Sequence, residues 1–524
     1  MTPGHEQEPL AEIARLRAEL ERALLENQLL REKINLMLAR LFDKSSESVD
    51  PSQLELVLDP DEAKKADAAG SADPGPAAET PDATSDEAPA ARTKRSPRKP
   101  RDTSHLHVEE TVLIHDEVAG NPEAFREIER LVTDRFDYQP GRIFIHRTVR
   151  VVHVAKDNPD AVPLKPAAPP SLGLGATSRL VAYVTAAKYC HHRPHYRTEG
   201  ILLRRHRVHF SRHKLCHWDK VVAETLEPLY KLVHRGLLNS GNLQADETPV
   251  KYLDPGKGKT STGYLWVIHA PRAGLKGDIL YQWHTSRKAA CLDELLGKNY
   301  RGNLQTDAYA VYPAWAAGKD GIDLSNCWAH ARREFHEALK IGQRLAAGAL
   351  AAIQKIYQIE TELRERGATA DERAAVPRQR SAPVLEILKG ELIALRQNPQ
   401  VLPKGKLCGA INYTLKIWDR LTLFLDRGEI EIDNNLIENG IRPTAVGKKN
   451  WLFMGSETTG QRAAIIFTMV ECAKRQGHDL EVWLADVLDR LPAMTNRDDL
   501  SVLLPCRWQP AAAPAARTAE ACPA

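Results

Sequence analysis

"NLQADETPVKYLD", residues 242–254, has the composition of a β-strand, yet Asp246 stands where a Val or Ile would be expected. Two more strand-like stretches follow, "TGYLWVIHAP" (262–271) and "GDILYQWHTS" (277–286), divided by turns containing Gly and Pro. Next come "RKAACLDELLG" (287–297), with helical spacing, and "GNLQTDAYAVY" (302–312), a fourth strand running into a helix. A second acid, Asp307, closes that strand after Leu304.

Three antiparallel strands, a helix and another strand are the opening of a ribonuclease-H-like α/β domain. In that topology the first and fourth strands are neighbours, which predicts Asp246 and Asp307 side by side. Two unit charges about 4 Å apart repel by roughly 4 kcal/mol at an effective dielectric near 20. Such a pair persists when a cation neutralises it, and hard carboxylate oxygens favour Mg2+ or Mn2+ over zinc. Taken singly, either Asp would serve as well to cap a turn.

A third acid comes from "IEIDNNLIENGIRP" (430–443), where Asp433, Asn434, Asn435, Glu438 and Asn439 are interleaved with Ile432, Leu436, Ile437 and Ile441. Polar groups among core residues are costly to bury unless something satisfies them. The stretch reads as a helix start. Glu438 on that helix would reach metals beside Asp246 and Asp307, and two ions held so promote in-line phosphoryl transfer. Ile437 and Ile441 would anchor the helix, and Asp433, Asn434 and Asn435 would cap it and border a DNA channel. Lys448 and Lys449 follow, placed for a phosphate backbone. "CWAH" (327–330) sets Cys327 and His330 one helical turn apart, ahead of Arg333. Two ligands cannot complete a zinc site, so His330 reads as a site neighbour, a DNA contact or simple packing.

The 524-residue chain, 43% hydrophobic with a net charge of +3, has material for roughly three domains. No early apolar run resembles a leader and no stretch of about 18 apolar residues could span a bilayer. A cytoplasmic, nucleoid-associated protein with no membrane partner is expected. Eight scattered cysteines without a C-x-x-C pair read as reduced thiols. Within residues 8–44, Ile13, Leu16, Leu20, Ala23, Asn27, Leu30, Ile34, Met37 and Leu41 keep a heptad, which predicts a coiled coil joining protomers. Residues 57–104 read as a disordered linker ending in the basic arm "RTKRSPRKPR" (92–101), whose Arg98 and Lys99 suit DNA phosphates or merely a solvated tail. Residues 105–165 read as a small β-rich module, notably "GRIFIHRTVRVVHVA" (141–155).

Residues 172–236 read as a helix-turn-helix region. Between Arg193 and Lys220 stand eight Arg or Lys and five His. Ser211 is placed to cap the second helix, with Leu215 and Trp218 inward. Arg204, Arg205, Arg212 and Lys214 are then the candidates for DNA; a solvated basic helix pair is the rival reading. The catalytic region spans 240–478 with a helical insertion at 341–425, and 479–510 forms a C-terminal segment.

"QADETPVKYL", "LQTDAYAVY", "CWAHARREF", "EIDNNLIENGIRP", "GKKNWLFMGS" and the terminal "WLADVLDRLP" to "NRDDLSVLLPCRW" closely resemble the insertion-sequence-66 family of DDE transposases, from about residue 170 to 508. The N-terminal zipper and the "KRSPRKPR" arm are similar too. The resemblance implies an acidic triad of Asp246, Asp307 and Glu438, 61 and 131 residues apart, with Mg2+ or Mn2+. His330, Arg333 and Asn435 would be its neighbours. It further implies double-stranded DNA as partner, both element ends and target, self-association, and possible small accessory proteins of the same element. The family usually carries a cysteine zinc module after the basic arm; residues 106–155 hold no cysteine, so no structural zinc is expected. The expected function is transposition by metal-dependent cleavage and strand transfer. The alternatives are a structure-specific nuclease of the same fold and an inactive copy that only binds DNA.

Overall fold

The computed structural model describes residues 171–510 except 255, 272–276 and 496, together with 141–146 and positions scattered between 15 and 34. Two compact units divide the chain, residues 66–144 and the remainder; the elements below belong to the larger. The described positions between 15 and 34 are helical, and Leu16, Leu20, Leu30 and Ile34 among them are exposed. The linker at 57–104, Arg98, Lys99 and most of the expected β-rich module lie outside the described residues; residues 141–146 have no regular structure.

Three helices precede the sheet: α1 (Ser178–Tyr189), α2 (His195–His206) and α3 (Arg212–Leu238). Ser211 does cap α3, its hydroxyl accepting the Lys214 backbone N–H at 3.3 Å. Leu215, Trp218, Val222, Leu226 and Leu229 recur at helical spacing along α3 and are wholly buried. At their centre Asp219 accepts from Lys188 Nζ (2.6 Å), pairs with His195 Nε2 (2.7 Å) and accepts from Tyr189 OH (3.3 Å), so one carboxylate ties the three helices together.

The central sheet holds β1 (Asn242–Leu253), β2 (Thr260–His269), β3 (Ile279–His284), β4 (Gly302–Thr306) and β5 (Ile322–Asn326), in the order β3-β2-β1-β4-β5. The first three are antiparallel neighbours; β4 and β5 run parallel to β1. The short helices α4 (Ala290–Leu296) and α5 (Val311–Ala316) make the crossovers that parallel pairing demands. Gly302, at φ +129°, lies so close to Gly241 that a Cβ there would sit 2.1 Å from its carbonyl oxygen. Only glycine lets β4 enter beside β1 at this point.

After β5 come α6 (Trp328–Lys340), α7 (Ala346–Glu365), α8 (Ala370–Gln397), α9 (Lys406–Lys416) and the single turn α10 (Trp418–Leu421). They share their own core, with Trp328, Phe335, Ile353, Leu388, Ile411 and Trp418 at its centre. The chain then returns to the sheet as α11 (Asn435–Trp451), α12 (Glu457–Arg475) and α13 (Leu480–Arg490). α11 crosses β1 and β2, α12 packs on β3 and α3, and α13 lies on α1. Among the described residues no helix is long and apolar enough to cross a membrane.

Burial alone would raise the Asp219 carboxyl, but Lys188 and His195 outweigh it and hold the group down at about 2. A depressed carboxylate stabilises the fold above its unfolded value, near 4, and loses that contribution as pH falls through the folded one. Stability to urea is therefore expected to drop between about pH 4 and pH 2. Asp219→Asn should flatten that segment and lower the midpoint at neutral pH; an unchanged acid limb would count against the assignment.

Candidate active site

Residues 241–246 and 302–307 spell G-N-L-Q-x-D twice, 61 residues apart. In the parallel pairing of β1 with β4 like meets like: Asn242 with Asn303, Leu243 with Leu304, Gln244 with Gln305. The same register carried on by two residues sets Asp246 opposite Asp307. Side chains alternate along a strand, so Asn, Gln and Asp of both strands form three tiers on one face of the sheet.

The two amide tiers hold a third length of chain. Asn303 Nδ2 donates to Asn242 Oδ1 (2.8 Å), and Asn242 Nδ2 donates to the Glu429 carbonyl (2.6 Å). One tier on, Gln244 Nε2 donates to Gln305 Oε1 and to the Asp433 carbonyl, both at 2.8 Å, while Gln305 Nε2 donates to the Glu431 carbonyl at 2.6 Å. Segment 429–433 thus climbs the strands from the Asn tier to the Gln tier. It then enters α11 on the way to the Asp tier, with Glu438 in its first turn.

The helical insertion grips the same segment from its other side. Ile430 and Ile432 are buried in the insertion core, Trp328 N donates to the Ile432 carbonyl (3.2 Å), and Asn434 N donates to Cys327 Sγ (3.4 Å). Glu431, almost wholly buried, accepts from Arg364 (2.6 Å) and Arg373 (3.1 Å), and Arg373 also reaches Glu360 (2.6 Å). Burial pushes the Asp433 carboxyl up, tempered by the Asn435 backbone N–H, Arg364 and Tyr357. The expectation that Asp433 and Asn434 border an open channel is corrected here, because both are buried. Asn435 is exposed. Asp433 opens the helix, its two oxygens taking the Asn435 N (3.0 Å) and Nδ2 (2.9 Å), whereas the Asn434 side chain makes no cap bond.

Asp246 Oδ1 accepts its neighbour's backbone N–H at 2.7 Å. Its carboxyl is pushed up to about 7, first by burial and then by the charges of Glu247, Asp307 and Glu438. Asp307 is half-buried; its Oδ1 accepts from Tyr309 N (3.0 Å), and Asn326 Nδ2 fixes its carbonyl at 3.0 Å. His330 Nε2 stands 3.6 Å from Glu438 Oε1, which makes the histidine of "CWAH" a neighbour of the third acid. Arg333 is half-buried on α6, in electrostatic range of Tyr413, as is Asp307. Glu247 is engaged elsewhere, by Arg287 Nε at 2.5 Å and Tyr312 OH at 2.6 Å. Among the described residues no three His, Cys, Asp or Glu side chains are gathered closely enough to form a ready metal cage.

A family model described as Transposase IS66 family matches residues 173–462. The chain belongs to the IS66 transposase family. A second model, described as Transposase C of IS166 homeodomain, matches residues 29–111. Three uncharacterized proteins of Sinorhizobium fredii (strain NBRC 101917 / NGR234) are similar along most of their length. The protein y4jD is 32% identical over 74% of this chain and 77% of its own, and y4qI 31% over 80% and 79%. The third, y4hP, is 28% identical over 73% and 71%.

In this IS66 chain the expected DNA contacts differ in their freedom. Arg204 and Arg205 are exposed on the last turn of α2. Arg212 is exposed but paired with Glu199 (3.3 Å), and Lys214 leans over the rings of Phe210 and Trp218. Lys448 is half-buried, its Nζ donating to Thr248 Oγ1 (3.3 Å) and the Pro249 carbonyl (3.1 Å), while Lys449 is exposed. Sequence reasoning passed over the amide tiers, Arg364, Arg373 and Arg287. The doubled G-N-L-Q-x-D, at the same 61-residue interval as the two acids, is the signal that could have found the tiers.

Gln305→Leu would strand the buried Glu431 carbonyl and leave the Gln244 amide short of an acceptor. A loss of about 1–3 kcal/mol is expected, read from the urea midpoint; a variant as stable as the parent would contradict the role given to the tiers.

Proposed function

We propose that this chain is the transposase of a mobile element, binding the element's ends and carrying out metal-dependent strand cleavage and strand transfer. The catalytic region would be ribonuclease-H-like, a reading supported by the strand order and by the carboxylates at β1, the end of β4 and the start of α11. The observation that carries the proposal is the parallel register of β1 with β4, which brings Asp246 level with Asp307 while Glu438 arrives in the first turn of α11. Burial and the like charges of Glu247, Asp307 and Glu438 push the Asp246 carboxyl up to about 7, a state that a divalent cation would relieve.

The donor set fits such a cation, since every candidate ligand offers hard carboxylate oxygen. Mg2+ or Mn2+ held by Asp246, Asp307 and Glu438 would supply Lewis-acid stabilisation of the charge that develops on phosphate oxygens. The chain's own residues do the positioning. The parallel register sets the two aspartates opposite one another, and the amide tiers deliver α11 beside them. His330 stands 3.6 Å from Glu438, and Arg287 with Tyr312 engages the Glu247 carboxylate. Arg442 and Lys449, exposed on α11, would receive the phosphate backbone, and Arg204 and Arg205 the terminal sequences. The exposed apolar positions of the N-terminal helix would pair protomers so that two ends meet, with small companion proteins of the element as further partners.

Asp307→Asn should abolish Mg2+-dependent strand transfer on pre-cleaved ends while sparing binding to terminal DNA. Retained joining would sink the assignment, and cutting without joining by the parent protein would favour a nuclease.

A further inference from the structure

After Trp451, α11 ends abruptly at Leu452, whose φ of 65° and ψ of −50° are rare for any residue with a branched side chain. The chain is then pinned at once to the end of β1: Met454 N donates to the Lys251 carbonyl (2.8 Å) and Leu253 N to the Met454 carbonyl (3.0 Å). Met454 is buried by this arrangement. Leu452 and Phe453 are held outward instead, 64% and 40% exposed, and Leu253 on β1 and Val446 on α11 are exposed as well. A strained, fixed turn that presents two large apolar side chains to water is not explained by folding.

Its surroundings point to a polyanion. Lys448 and Lys449 occupy the last turn of α11, Lys251 lies exposed on β1, and Lys257 and Lys259 stand in the β1–β2 hairpin. Lys448 is tethered only to neutral acceptors, the Thr248 hydroxyl and the Pro249 carbonyl, so its charge is not cancelled. Of the nearby acids, Asp254 is engaged by Lys257 (2.5 Å) and Ser261 (2.9 Å), and Glu457 opens α12. Along α11, Glu438, Arg442 and Lys449 fall on one stripe at helical spacing. The apolar tip therefore stands at the end of the surface that begins at the acid cluster.

We propose that Leu452 and Phe453 form a wedge that enters the base stack of the DNA lying along α11. Proteins that unstack a base step use such apolar side chains, backed by cations on the flanking phosphates. Leu452 lies fourteen residue steps beyond Glu438, about 20 Å of axis, which matches about six base-pair steps at 3.4 Å. The wedge would thus hold the duplex open or kinked about six pairs from the phosphate that is cut. This inference rests on the transposase reading.

The test uses the full chain without divalent cation and duplexes from the DNA flanking the coding region, each with one 2-aminopurine. Fluorescence anisotropy reports binding, and 2-aminopurine emission reports unstacking. The wild type should bind and raise emission several-fold at one place, about six pairs from the cleavage point. Leu452→Ala with Phe453→Ala should weaken binding by about tenfold and, at saturation, leave emission at the level of free duplex. Leu452→Gly, which relieves the strained backbone, should fold at least as well as the parent and still lose most of the signal. Binding with unchanged emission at every position overturns the wedge but not the transposase reading. So does a double variant that keeps the signal but loses self-association or vesicle binding by light scattering. No binding by the wild type overturns the reading on which the wedge rests.

Discussion

Four side-chain amides on two adjacent parallel strands constrain everything else near the acids. Asn242, Gln244, Asn303 and Gln305 are buried on one face of the sheet, where an apolar residue would be the cheaper occupant. They persist because each finds a partner, either a fellow amide or a carbonyl of segment 429–433. A row of buried donors fits the carbonyls of that segment in one register only. The segment is therefore fixed in height along β1 and β4, and the helix that follows begins at a defined place relative to Asp246 and Asp307.

The helical insertion completes that constraint. Without it, segment 429–433 would have one side unfilled and Glu431 would be a buried charge without a cation. With it, Ile430 and Ile432 enter an apolar core, and Arg364 and Arg373 neutralise Glu431. Breaking a buried pair by removing one partner costs about 3–5 kcal/mol, more than most exposed pairs ever contribute. The insertion and the acid cluster are thus mechanically one piece, although about a hundred residues lie between β5 and the returning segment.

The Asp tier differs from the two amide tiers in carrying acid groups and no cation. Asn and Gln neutralise each other and the backbone, and Glu247 is met by Arg287 and Tyr312, but Asp246 meets only its neighbour's backbone N–H and further negative charge. A fold that links two tiers to its own backbone and crowds acids into the third favours a cation there that it does not itself contain. The same logic, in apolar form, applies at the far end of α11, where strain holds Leu452 and Phe453 out of the core.

By itself the sequence determined the helices before the sheet and the first four strands in their order, though not β5, because strand and helix periodicities and caps such as Ser211 are local properties. It also singled out Asp246, Asp307 and Glu438, since an acid inside an apolar run is conspicuous wherever it falls. It did not reveal that Asp433 and Asn434 are buried, that Lys448 is tethered to β1, or that Lys214 leans on aromatic rings. The partners in those outcomes range from four residues away, Phe210 and Trp218 for Lys214, to about 80 and 200 away, Tyr357 for Asp433 and Thr248 for Lys448. Only tertiary structure decided them: a polar side chain has the same local signature whether it meets water, a phosphate or a distant carbonyl, and packing alone chooses among the three.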